Sequence, residues 1–436
     1  MALFQKRHVF LLALLVLSAC GERELILEGE RLDIRGDDAV IEVPLGAQPI
    51  RLSSPVNNTA WTHRAGTATH RMQQPAFAPD PTLIWSADIG EGVDRRHRIT
   101  ADPVAANGRI FTIDSRSTVA ATSADGARLW ARDLTPPTDN AKDASGGGLA
   151  LAGDRLFATT GFGELVALDT ASGEELWRQG LDASVTGAPT VFDNVVYVAT
   201  RDSRALAIEA DSGRIRWQLA GAPSASGVLN GAGPAVNDKI VVFPFSSAQV
   251  VAALRKGGLR IWGGSVSGAR PGRAYANFSD ISGDPVIVGD VIYAGNPAGR
   301  TVALDSASGD RIWTVQSGAT GPIWVEGGSL FFLTDQGELA RRDADTGALI
   351  WSQQLPFELP VRRDKRRRDI YAHFGPVLAG GSLWVASNDG LLRAFDPVDG
   401  ALRTSVDLPG GAASRPIVVS GVMYVVAQNG KLLAFR

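Results

Sequence analysis

The sequence predicts an all-β fold, an eight-bladed β-propeller of four-stranded antiparallel blades. Three observations lead there. Seven tryptophans, Trp85, Trp130, Trp177, Trp217, Trp262, Trp313 and Trp351, recur at intervals of 45, 47, 40, 45, 51 and 38 residues. Each ends a similar block, such as Gly161-Phe-Gly-Glu-Leu-Val-Ala-Leu-Asp-Thr-Ala-Ser-Gly-Glu-Glu-Leu-Trp177 or Gly299-Arg-Thr-Val-Ala-Leu-Asp-Ser-Ala-Ser-Gly-Asp-Arg-Ile-Trp313. Between the tryptophans lie short apolar runs without a helical period, which read as strands. Four short strands repeating at this spacing are the mark of a propeller.

Composition agrees and narrows the function. Of 436 residues, 44% are hydrophobic, enough for a large core and too many for a disordered chain. The formal charge of −3 provides no general basic field, which argues against a nucleic-acid partner. The single cysteine excludes an internal disulfide and a cysteine-rich metal site. His63, His70, His97 and His373 have no metal-ligand spacing, and no metal is expected.

The N-terminus comes first. Lys6 and Arg7 precede the apolar run Val9 to Leu17, nine residues long. That is too short to span a bilayer and suits a secretory signal. Leu17-Ser18-Ala19-Cys20 resembles a bacterial lipobox, which implies cleavage before Cys20, acylation (palmitate included) and a lipid anchor. Gly21 rather than Asp follows the cysteine, which implies the outer membrane, periplasmic face. Residues 1–19 are thus read as a signal peptide and 20–60 as a lipidated tether. Within the tether, Leu25 to Leu27 and Val40 to Val43 could pair as short strands. Residues 61–436 are read as the propeller.

Each blade then has four parts. The first strand follows a proline, as in Pro189-Thr-Val-Phe, Pro285-Val-Ile-Val and Pro376-Val-Leu-Ala. Tight turns such as Asn107-Gly108 lead to an apolar second strand. The third strand resembles Leu165-Val-Ala-Leu, and Asp-x-x-x-Gly leads into the fourth, which carries the tryptophan. First strands begin near Val104, Leu149, Thr190, Ala235, Val286, Ile323, Val377 and Ile417, giving eight blades. The last blade ends at its third strand, Leu432 to Phe435. Thr82 to Trp85 is an unassigned fourth strand, so it is expected to close that blade and remove two exposed edges. The tryptophans are assigned to docking between blades, not to a ligand-stacking ring. Arg403 is taken as the eighth equivalent, where one junction should differ.

Loop lengths separate the faces. First-to-second and third-to-fourth turns are short. All long irregular segments, Thr135 to Gly147, Gly221 to Gly233, Ser265 to Gly283 and Leu355 to Phe374, fall on the opposite face. Long loops on a rigid scaffold are where binding concentrates.

Ala-Leu-Asp-x-x-x-Gly-x-x-x-Trp, at Ala167 to Trp177 and Ala303 to Trp313, resembles the docking repeat of the pyrroloquinoline quinone propellers. With a lipobox ahead of one eight-bladed propeller, the chain is most similar to the BamB family of that superfamily. The resemblance implies a non-enzymatic lipoprotein scaffold with no cofactor. Its implied partners are the POTRA domains of BamA, other subunits of the β-barrel assembly machinery and unfolded outer-membrane protein clients. A quinoprotein dehydrogenase or a periplasmic sensor is the alternative. Against the dehydrogenase, the lone cysteine cannot form the adjacent-cysteine disulfide of many such enzymes. The first strands, expected to line the channel, also hold no acidic cluster.

By the same resemblance, partner-binding residues lie in the connectors after Trp217 and Trp262. The first holds Val228, Leu229 and Asn230; the second holds Asp280 and Ser282. Leu229 stands where the family has Arg, and Ser282 where it has a second acid. Val228 and Leu229 read either as a small hot spot or as residues packed on the propeller rim. Two basic clusters, Arg95-Arg96-His97-Arg98 and Arg362 to Arg368, read as solvated loops or as contacts for partner carboxylates or lipid phosphates.

Overall fold

The computed structural model describes residues 42–185, 187–224, 231–268, 270, 280–359 and 370–436. Eight separate four-stranded sheets are present, and each is an antiparallel meander. The first blade runs Val104–Ala106, Arg109–Ile113, Thr118–Ser123 and Arg128–Asp133. Its seven successors follow the same order. In the last blade, Ile417–Val419, Val422–Ala427 and Lys431–Phe435 are joined by Leu83–Asp88. Asp88 there lies opposite Lys431, and Ala87 opposite Leu432. The expected closure therefore forms, and pairing satisfies backbone groups that an open edge would leave bare.

The core lies between blades. Side chains alternate across a strand, so each sheet presents one apolar row to either neighbour. Leu156 and Ala158 pack with Phe111 and Val119 of the first blade. Phe157, between them in sequence, packs with Val196 and Val198 of the third.

Each tryptophan fastens one blade to the next. Its indole N–H donates to a carbonyl in the neighbour's third-to-fourth turn, as Trp130 Nε1 to Thr170 O (3.2 Å) and Trp177 Nε1 to Ala210 O (3.0 Å). Six of the rings also tilt against an aromatic of their own blade, such as Phe111 for Trp130 and Phe157 for Trp177. A glycine lies under each indole. Its φ is positive, +72° at Gly173, and a Cβ there would come within 2.6 Å of the Trp130 ring. The turn thus needs glycine both for its left-handed backbone and for the room.

The odd junction follows the closure, and its residue is Thr404 instead of Arg403. Register places Thr404 opposite Ala394, as Trp177 is opposite Ala167. Arg403 is the extra residue of the bulge just before that position. The last blade takes its third and fourth strands from distant segments, so no hairpin turn joins them. A tryptophan at 404 would have no turn to land on. Arg403 instead folds over its own blade, reaching Asp396 (2.8 Å) and the Gly381 carbonyl (2.8 Å).

The segment from 43 to 60 differs from the expected tether. It is hydrogen-bonded to the propeller: Leu45 N to Leu349 O (2.9 Å), Ser53 N to Glu326 Oε1 (2.8 Å) and Asn58 Nδ2 to Val418 O (2.9 Å). The remainder of the tether, residues 20–41, lies outside the described residues, Leu25 to Leu27 included; of Val40 to Val43, only Glu42 and Val43 are described, and neither is in a strand.

Candidate partner-docking face

The same segment continues across the inner strands. Thr62 O accepts from Leu151 N, Ala68 O from Val236 N, Thr69 O from Ile287 N and Pro75 O from Gly380 N. Trp61 pairs with Ala105, and His63 Nε2 accepts from Val191 N (3.0 Å). An inner strand has a sheet partner on one edge only. The other edge faces the channel, where its amides need acceptors. Residues 56–77 provide them, blade after blade.

Arg64 reaches a buried ionic group. Its Nη1 donates to Gly231 O at 2.7 Å and lies 3.3 Å from Asp284, while Nε lies 3.5 Å from Asp102. Arg415 binds Asp102 through Nε (2.8 Å) and Nη2 (2.5 Å). All four are buried, and two cations meet two anions. Burial pushes the Asp284 carboxyl up, but Arg64 and Arg415 hold it below its ordinary value. Burial brings His63 down to about 3 and lowers His70 too, so both imidazoles are neutral near pH 7.

Sequence reasoning missed this group by looking within the first strands. Asp102, Asp284 and Arg415 each stand just before the proline that opens a first strand, at Pro103, Pro285 and Pro416. Other blades have Ala188, Gly233, Gly321 or Gly375 there. A comparison of that repeat position would have singled out the three charges.

The opposite end of the channel carries the connectors. Each begins with the same bond to its own blade's second-to-third turn: Leu134 N to Ser117 O, Leu181 N to Gly163 O, Val266 N to Ala248 O, Leu355 N to Gly337 O, Leu408 N to Gly390 O. These apolar residues are buried; the connector after Trp217 opens with the same bond, Gly221 N to Ser203 O, at a half-buried glycine. An open cavity of about 260 Å³ lies among them, with Arg64, Asp102 and Arg415 on its wall beside Phe357, Tyr371 and Phe374.

The expected partner residues divide as follows. Val228, Leu229 and Asn230 lie outside the described residues, as do Cys20 and Arg362 to Arg368. The stretches that follow the two loops do meet, since Ala232 N donates to Ile281 O at 3.2 Å. Asp280 is only 3% exposed, and its carbonyl accepts from Asn296 Nδ2 (3.2 Å). It is a buried residue beneath the loop, not an acid on the loop tip. Ser282 is half-buried, and its Oγ has no hydrogen-bond partner among the described residues. Asn296 and Asp280 join neighbouring parts of one blade by side-chain bonding that no strand pattern announces.

Residues 115–353 and 343–436 match a family model described as outer membrane protein assembly factor BamB. The chain belongs to the BamB family. Relatives of that name include one from Shewanella oneidensis, 29% identical over 367 residues, covering 81% of this chain and 88% of the relative. The Yersinia pestis protein is 26% identical over 362 residues, with the same coverage. The Xanthomonas campestris protein is 27% identical over 392 residues, covering 86% and 92%. Among solved structures, BamB from Moraxella catarrhalis aligns with a TM-score of 0.67 at 18% identity, over 82% of this chain and 100% of that one. A europium-containing methanol dehydrogenase has the same TM-score at 14% identity, over 86% and 98%. At such identities the structures show a shared fold, which scaffolds and enzymes both use. The family match begins at residue 115, so the segment that lines the channel lies ahead of it.

The enzyme reading can be tested on the channel residues. Calcium and a quinone need free carboxylates facing an open funnel. Here Asp102 and Asp284 are engaged by Arg64 and Arg415, and the chain's own residues 61–70 line the inner strands. Among the described residues, no group of three or more His, Cys, Asp or Glu side chains could hold a metal. These residues do not fit the group.

Proposed function

We propose that this chain is a non-enzymatic scaffold of the β-barrel assembly machinery. It is anchored through lipidated Cys20 at the periplasmic face of the outer membrane. Its long-loop face binds the POTRA domains of BamA and so assists insertion of β-barrel proteins. The observation that carries this reading is the asymmetry of the propeller. One end of the channel is taken up by residues 56–77, while the long connectors rise at the other, each opened by a backbone bond to its own blade. Such a body offers a recognition surface on its long-loop face. The meeting of Ala232 and Ile281, in the stretches that follow the two connectors, supports Val228, Leu229 and Asn230 as the centre of that surface, with Asp280 and Ser282 on either side of Ile281 in the chain.

Copurification from detergent-solubilised envelopes tests the proposal. Val228→Asp with Leu229→Asp should remove BamA from the eluate and leave the melting temperature nearly unchanged. A few central apolar residues commonly carry about 2 kcal/mol each of an interface. Undiminished BamA in that eluate would place the contact on another connector.

A further inference from the structure

Beside the loop centre, the same face has a second feature that the assembly reading leaves unused. A hollow of about 390 Å³ lies between the connectors of the first three blades. Arg96 comes from the connector before blade one, Lys142 from that before blade two, and Arg201 from the second-to-third turn of blade three. All three are exposed. The side chains of Arg96 and Lys142 make no ion pair among the described residues. Asp143 shares the lining, but its carboxylate accepts from the Asn140 amide at 3.0 Å.

His97 holds this arrangement together. Its Nδ1 lies 2.8 Å from Asp94 Oδ2 and its Nε2 lies 3.0 Å from the Lys142 carbonyl. Both neighbours are acceptors, so both ring nitrogens must donate, which is the imidazolium form. The ring therefore ties the two basic connectors together, its own charge balanced by Asp94. Arg201 N donates in turn to Ser184 O (3.1 Å), which fixes the third wall. Arg201 also borders the hollow at Gly231, Ala232, Asp280 and Ile281, at the foot of the proposed partner loops.

We infer that this basic hollow takes the carboxylate side chains of an acidic segment on the protein partner. Three cations carried on the tied backbones of three neighbouring blades suit several carboxylates better than one small anion. Continuity with the partner loops through Arg201 favours a protein over a lipid surface. The inference rests on the proposed scaffold reading and adds the chemistry of the partner.

Fluorescein-labelled decaglutamate is the probe, added to the purified full-length protein in detergent without any assembly subunit. Binding should be salt-sensitive. It should weaken about tenfold or more in Arg96→Glu/Lys142→Glu, and stay unchanged in the exposed control Arg132→Glu. Arg96→Gln/Lys142→Gln should give the same loss if the charge-reversed protein fails to fold. Failure of the wild-type protein to bind the peptide would overturn the inference. So would full binding by either double variant, or a loss confined to phosphatidylglycerol vesicles. Because BamA is absent, these outcomes are independent of the copurification result.

Discussion

Arg341 donates from Nη1 to the carbonyl of Gln48, at 2.6 Å and across 293 residues of sequence. Arg341 sits in a third strand, opposite Trp351, where the other blades place alanine. It is 2% exposed. Its guanidinium also reaches the carbonyls of Pro49, Pro397 and Val398. One residue thus marks the sixth blade as the seat of the N-terminal segment and, through Pro397 and Val398, also holds the seventh.

Arg341→Ala should therefore loosen that segment and the adjacent junction together. Removing the guanidinium leaves several buried carbonyls without a donor, at about 1–3 kcal/mol each. A loss of about 3 kcal/mol is expected by denaturant melting, with faster amide exchange at Leu45, Gly46 and Ser53. Unchanged exchange at those amides would show that the segment is held by other contacts.

The glycines under the indoles should be intolerant of a single methyl group. Gly258→Ala would place a Cβ 2.6 Å from the Trp217 ring at φ +69°. Gly153, at φ +61°, has open space around it. Gly153→Ala should cost only the backbone strain, about 1 kcal/mol, and Gly258→Ala should add an overpacking cost of about 1–3 kcal/mol. Equal melting temperatures for the two variants would contradict this.

Acid should weaken the channel through His63. Its folded pKa is lowered by burial to about 3, from 6.5. The unfolded chain therefore binds the proton first as pH falls. Stability from this group is complete above about 6.5 and declines from there down to about 3, with a slope approaching 1.4 kcal/mol per pH unit. His70 is lowered in the same direction and steepens the slope. His63→Gln should flatten the urea-midpoint profile between pH 6 and pH 4 (about that range); a profile identical to wild type would assign the slope to His70 and the other titrating groups.

Cys20→Ser should leave the propeller folded and move the protein from the outer-membrane fraction to the soluble periplasm, since acyl chains supply the anchoring free energy. Fractionation with immunodetection reads this directly, and full retention of the variant in membranes would contradict the lipid anchor.

The architecture was legible because its causes are local and repeated. Apolar runs, Asp-x-x-x-Gly turns and a tryptophan four residues after each turn glycine come from short-range sterics and strand pairing. Six glycine-to-tryptophan intervals of four residues make that pattern plain. Even the seam could be read, because an unassigned fourth strand at one end matched a missing one at the other. The error at Arg403 arose at the one repeat without a tryptophan to set the count, and backbone register corrected it to Thr404.

The face that carries the long connectors was likewise readable from loop length. Exposure of individual loop residues was not, and Asp280 proved to be buried. The channel depended on the tertiary structure alone. Arg64 meets Asp284 across 220 residues, and Arg415 meets Asp102 across 313. No periodic pattern encodes a contact at that separation. Closing the ring brings these charges together, and desolvation then requires each to find a partner of opposite sign. The sequence by itself determined the number of blades, their order and their seam, because those follow from local backbone geometry. Only the closed ring decided what fills its centre, because that depends on which distant residues share one water-poor space.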